Sequence, residues 1–329
     1  MLGSASLLLF GTVSLGAADE PMTKERVLVE YPKALKALEA GFTHVSGTEF
    51  STPIVDHVQK VAIRRSRRDF AVSGVSGFYS HTYLEGFQVA DPGKKDAPKA
   101  KVSPSFQTVR GTNDKYSFVL GKQTPTSDYV VIRKDADTKK IREELSIAAC
   151  QHMHMTCMGS MPILNLLADS GFHLERISEN PLGSPRGTLK LEFTVDVPKD
   201  FFTGRAVPFR ARIVSGWILV SPQDGWVMND SLVNYITADS KKYAHTHHID
   251  YAKGPDGKLV PSNATFRAYE GHFETDPAIN NPNVIPMAGT ITEIVDLKFG
   301  ERPASDFTLG AFGLPEDGKD SLPPPPVIK

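Results

Sequence analysis

The stretch from Phe172 to Phe299 constrains the fold most, because it reads as one strand after another with little chain between them. Phe172–Ile177, Thr188–Val197, Phe209–Val220, Trp226–Thr237, Lys242–Ala252, Leu259–Phe273 and Gly289–Phe299 are rich in aromatic and β-branched residues, and Phe307–Leu309 reads as a last short strand. Two of the joints, Pro222-Gln-Asp-Gly225 and Pro255-Asp-Gly257, set proline early and glycine late, which is tight-turn chemistry. Turns that short join antiparallel neighbours, because a parallel pair needs a long crossover.

The first half of the chain adds strands and two helical interruptions. Between Phe42 and Arg133, strand-like segments stand at Asp69–Val75, Phe78–Val89, Tyr116–Leu120 and Asp128–Ile132, around an apolar-poor loop at 91–101. Ahead of them, Thr23–Ala40 carries Val27, Leu28, Tyr31, Leu35 and Leu38 near helical spacing, Gly41 suits the C-terminal cap, and Pro32 is expected to kink or divide the helix. From Thr138 to Ser170 the pattern turns helical again, as two helices divided near Gly159, the second started by Pro162. Ile163-Leu164-Asn165-Leu166-Leu167 supplies an apolar plug. The expected fold is therefore α+β and β-rich: a curved antiparallel sheet, a half-barrel, wrapped around an N-terminal helix and a central two-helix plug.

At 329 residues and 40% hydrophobic, the chain can bury one large core or two modest ones. A net charge of -1 gives no electrostatic reason to bind nucleic acid or an anionic membrane. The one dense basic run, Arg64-Arg65-Ser66-Arg67-Arg68, lies in strand-like sequence, where alternation splits its arginines between two faces. A solvated sheet surface is the first reading, an anion or headgroup contact the second.

The first eighteen residues place an apolar run, Leu7, Leu8, Leu9, Phe10, Val13 and Leu15, ahead of Gly16-Ala17-Ala18. That is the order of a secretory signal, with cleavage expected after Ala18, although its n-region lacks Lys and Arg. The run is about half of the roughly 20 apolar residues that span a bilayer, so no stable membrane anchor is expected. With no lipid-acceptor cysteine after it, residues 19–316 are expected as a single β-rich domain free in the periplasm or outside the cell. The closing 317–329 stretch, with Pro323–Pro326, reads as a disordered tail.

Chemically reactive side chains concentrate in two places. In Cys150-Gln-His152-Met-His154-Met-Thr-Cys157-Met158-Gly-Ser-Met161, a continuous helix would put Cys150, His154, Cys157 and Met161 on one face, a ligand set suited to copper(I) or zinc. The same stripe would serve as the buried face of a helix. A disulfide is the third alternative, but seven residues of helix separate the Cα atoms by about 10 Å, beyond disulfide reach, so the helix would have to break. In Tyr243-Ala-His245-Thr-His247-His248-Ile-Asp250-Tyr251, strand alternation puts His245 and His247 on one face as a second metal candidate, with His248 and Asp250 on the other. No nearby third ligand is evident, and a polar-aromatic sheet face explains the pattern equally. No nucleophile elbow, zinc helix or phosphate loop occurs, and Glu143-Glu144 reads as solvated surface, so no catalytic residue is assigned.

Gly216-Trp217-Ile218-Leu219, Pro222, Trp226, Tyr251, Asp256-Gly257, Pro261, Asp306-Phe-Thr-Leu309 and Phe312-Gly-Leu-Pro-Glu316 resemble a group of exported bacterial proteins of unknown function. Their layout is similar to that of the periplasmic lipoprotein carrier LolA and its relatives. The resemblance implies a half-barrel whose space between sheet and helices accepts acyl chains, but it transfers no ligand-contacting residue. The leading expectation is thus an exported soluble carrier for a lipid or other hydrophobic molecule, needing no cofactor and with no protein partner identified. A copper- or zinc-binding protein or metalloenzyme and an extracellular structural or interaction module are the alternatives.

Overall fold

The computed structural model describes residues 22–54, 64–88, 100–102, 107–122, 124, 126–139, 155–158, 161–198, 211–254, 257, 259–277 and 284–316. The expected signal (1–18), most of the 91–101 loop, most of the first expected central helix and the 317–329 tail lie outside the described residues.

Helix α1 (Lys24–Gly41) opens on Thr23, whose hydroxyl accepts from the Arg26 N–H at 3.2 Å, a side-chain N-cap. It buries Val27, Tyr31 and Leu35, one stripe at a four-residue spacing, while Leu28 stays exposed. Contrary to expectation, Pro32 does not divide it. The carbonyl of Leu28, which the missing Pro32 N–H leaves unmatched, belongs to that exposed side, where water can serve it.

The strands are β1 (His44–Ile54), β2 (Arg64–Ser73), β3 (Ser76–Gln88), β4 (Ala100–Val102), β5 (Gln107–Thr112), β6 (Ser117–Lys122) and β7 (Val130–Asp135), then the short β8 (Cys157–Met158) and β9 (Met161–Pro162). After helix α2 (Ile163–Leu167) come β10 (Phe172–Glu179), β11 (Leu189–Val195), β12 (Ala211–Ser221), β13 (Val227–Thr237), β14 (Lys242–Lys253), β15 (Leu259–Glu270) and β16 (Ala288–Phe299). Among the described residues these build one curved sheet in the order β10-β11-β12-β13-β14-β15-β16-β1-β2-β3-β5-β6-β7, with β4 beside β3 and β8 paired only with β9. Every pairing is antiparallel. The two ends of the meander meet in mid-sheet, β1 against β16. The chain runs outward from there to one edge, β7, re-enters at the opposite edge, β10, and returns; among the described residues those edges are not paired, so the curved sheet is not closed.

Turn chemistry behaves as the sequence foretells. Pro222–Asp224 forms a 3-10 turn closed by Gly225 at φ 78°, a left-handed conformation that glycine adopts without a Cβ clash, and it joins β12 to β13. Gly257, also at positive φ, lies between β14 and β15. Two expectations are corrected. Phe307–Leu309 is not a strand but belongs to two 3-10 turns, Ala304–Phe307 and Leu309–Phe312. The second central helix starts at Ile163, with Pro162 as its cap residue, and spans only five residues.

The apolar side of the sheet changes along its width. On the helix-bearing face, Val27, Tyr31 and Leu35 of α1 and Ile163 and Leu166 of α2 pack on Leu191, Phe193, Ile218, Val220, Val233 and Ile249. That face continues through Val45, Phe70 and Ile294, against Leu38 and Phe42 of α1. At β3 the apolar residues move to the opposite face: Phe78, in antiphase to Tyr79, joins Val109, Phe118, Leu120 and Val131 under Leu309 and Phe312 of the C-terminal turns. Two cores therefore lie on opposite sides of one sheet.

Candidate functional site

Of the cysteine cluster, Cys150 and His154 lie outside the described residues. Cys157 is buried in β8 opposite Pro162, and the half-buried Met161 packs on the main core. Cys157–Met158 and Met161–Pro162 thus form a small antiparallel pair rather than helix. Proline disfavours a helical conformation in the residue before it, so Met161 is extended.

His245 and His247 do share the helix-bearing face, opposite Val233 and Ser231 on β13. The Phe266 ring stands 5.0 Å from each imidazole centroid, and Tyr235 lies 4.6 Å from His245 on its other side. Burial pushes the His245 pKa down to about 4, so the ring is neutral, and its Nδ1 is buried without a hydrogen-bond partner. His272 follows β15, beyond the Glu270–Tyr243 pair. Among the described residues no three His, Cys, Asp or Glu side chains gather as a metal-ligand set. His248, on the opposite face, is held between Asp230 at 2.7 Å and Asp250 at 3.3 Å, and these hydrogen bonds raise its pKa to about 9.

A cleft of about 590 Å³ opens where the C-terminal end of α1 meets the β12–β13 and β14–β15 turns. Its apolar lining comes from Leu38, Phe42, Val227, Leu259, Val260 and Phe299, with His44, Gln223 and Asp224 also on the wall. Phe42 and Phe299 lean together at 5.5 Å. Sequence periodicity marks Leu38 as helix-core, yet helix and sheet diverge here and leave it half-buried beside open space.

A polar strip on the same face escaped sequence reading. Glu49 on β1 stands opposite Arg68 on β2, and the register on either side, Arg67 opposite Thr82 and Phe70 opposite Tyr79, sets Arg68 opposite His81 on β3. The Glu49 side chain is fully buried, and burial raises its pKa to about 8 against the opposing pull of Arg68. The guanidinium Nη1 is 3.8 Å from Glu49 Oε2, and Cζ lies 6.0 Å from the centre of the Tyr79 ring. Burial, assisted by Arg68, lowers His81 to about 4. The sequence carried a trace of this arrangement. Arg68 is in phase with Phe70, whereas the exposed Arg65 and Arg67 are not.

No family model matches the chain, and no curated protein matches it. Among solved structures, a DUF1329 family protein from Desulfovibrio piger aligns over 87% of this chain and 98% of its own, with 10% identity and a TM-score of 0.42. MucB, in complex with MucA, aligns over 84% of this chain and 99% of its own, with 8% identity and a TM-score of 0.12.

Proposed function

We propose that this protein is an exported, soluble binding or carrier protein for a hydrophobic ligand, held in the cleft at the C-terminal end of α1. The observation that carries the reading is the cleft itself. Its volume falls within the roughly 300–1,000 Å³ range of small-molecule sites, and it combines an apolar wall with a few polar groups. Its place, between the end of α1 and the β12–β13 and β14–β15 turns on one rim of the curved sheet, supports it. Export rests on the apolar run and small residues at 7–18, and the ligand class on the lining.

Uptake of a fluorescent fatty acyl probe by delipidated protein tests this reading. Saturable binding in wild type, weakened about tenfold by Leu38→Gln or Leu259→Trp without loss of fold, is the expected result. Wild-type protein that takes up no probe overturns it.

A further inference from the structure

We propose that the strip centred on Arg68 is an anion site, and that the ligand is therefore an amphiphile with a carboxylate or phosphate headgroup. This rests on the binding function proposed above and names its ligand class.

Three consecutive rungs across β1, β2 and β3 define the site. Gly47, Phe70 and Tyr79 form the first, Glu49, Arg68 and His81 the second, and Ser51, Ser66 and Tyr83 the third. Alternation puts all nine on the helix-bearing face. Arg110 on β5 joins them, opposite Tyr79. Within the strip, the buried nitrogens without a hydrogen-bond partner are those of Arg68 and His81. The one carboxyl group in these rungs is Glu49.

Arg68 is poorly satisfied by that carboxyl. A charge-assisted hydrogen bond between guanidinium and carboxylate spans about 2.7–2.9 Å, whereas the gap here is 3.8 Å. The Nε of Arg68 is buried and has no hydrogen-bond partner, and Nε2 of His81, on the next strand, is in the same condition. A buried donor without a partner costs free energy unless something else accepts from it. The Arg68 side chain is 31% exposed, with one guanidinium face toward Tyr79, and its planar fork is the shape that suits carboxylate and phosphate oxygens. Glu49 does not fully cancel the arginine charge, because burial favours its neutral, proton-bearing form.

One apolar cluster lies between the strip and the cleft. Phe70, next to Arg68 on this face, packs in one cluster with Val45, Leu38, Phe42, Val227 and Leu259, and the last four line the cleft. An amphiphile with its headgroup at Arg68 would direct its chain toward the half-buried Leu38, Phe42 and Leu259 of that cluster, since Val45 and Phe70 are themselves packed inside it.

The test compares dodecanoate, dodecyl phosphate, dodecanol and inorganic phosphate by titration calorimetry at pH 7, on the full mature chain. Wild type should bind the two anionic amphiphiles roughly tenfold or more tighter than dodecanol, and Arg68→Met should erase that preference while leaving dodecanol unchanged. If Arg68→Met does not fold, Arg68→Lys serves instead, since it keeps the charge but loses the fork; a partial loss confined to the anions is then expected. Equal losses for dodecanoate and dodecanol, or none for either, overturn the anion site and leave the carrier reading standing. Binding of inorganic phosphate as tightly as dodecyl phosphate, abolished in Arg68→Met, supports the anion site and overturns the amphiphile. If none of the four binds, both readings fall.

Discussion

Tyr31 of α1 stacks on Trp226, with ring centroids 5.5 Å apart and planes 24° from parallel, and this pair fastens the helix to the β12–β13 turn. Tyr31 is fully buried, and its hydroxyl has no hydrogen-bond partner. Tyr31→Phe should therefore be neutral or stabilising, whereas Tyr31→Ala should cost about 3–5 kcal/mol through lost packing. Urea unfolding of both variants checks this; a destabilised Tyr31→Phe would show that the hydroxyl has a partner after all.

Gly111 leaves room for the Phe118 ring on the neighbouring strand. A Cβ at position 111 would lie 2.2 Å from Phe118 Cζ, and Phe118 is almost wholly buried. Gly111→Ala should destabilise by roughly 1–3 kcal/mol, and adding Phe118→Leu should recover part of that loss. A double-mutant cycle by thermal unfolding measures the coupling, and simple additivity would contradict the contact.

The C-terminal turns are held onto the sheet by polar bonds as well as by apolar packing. The Tyr116 hydroxyl donates to the Glu316 carboxylate and accepts from the Leu309 N–H, and Asn113 donates to the Phe307 carbonyl. Tyr116→Phe should cost about 1–2 kcal/mol and speed hydrogen exchange at Leu309. Ending the chain at Gly300 should do far more, because it uncovers Val109, Phe118 and Leu120; aggregation or loss of cooperative unfolding is the expected readout.

Glu49 makes stability depend on pH. Its pKa in the folded protein, about 8, lies above the ordinary 4.5, so the folded state binds the proton more tightly than the unfolded one. That contribution is fully present below about pH 4.5 and is lost as pH rises through 8. Relative to wild type, Glu49→Gln should therefore gain stability between pH 5 and pH 8.5. Melting temperatures across that range test it, and a constant difference would place the carboxyl in a more polar setting.

Much of the sheet was legible because alternation and turn residues are local properties. The Pro222–Gly225 turn, the shared face of His245 and His247 on β14 and the apolar Ile163–Leu167 segment all follow from residues within a few positions of one another. Phe307–Leu309 misled, since three strand-like residues are also what a 3-10 turn buries against a sheet. The basic run that contains Arg68 was legible, with an anion contact as its second reading, but its alignment with Glu49 and His81 was not, because the three come from separate strands. Only the pairing register brings them into line.

By itself, then, the sequence determined that the chain builds an antiparallel, β-rich sheet with an apolar helix packed on it, because periodicity decides which side chains a strand or helix can bury. Tertiary structure alone decided that, among the described residues, the sheet stays unpaired between β7 and β10, that its apolar side switches faces near β3, and that a cleft forms at the C-terminal end of α1. Those outcomes depend on which distant segment covers each face. A strand's own residues mark its two sides but do not name what will lie against them.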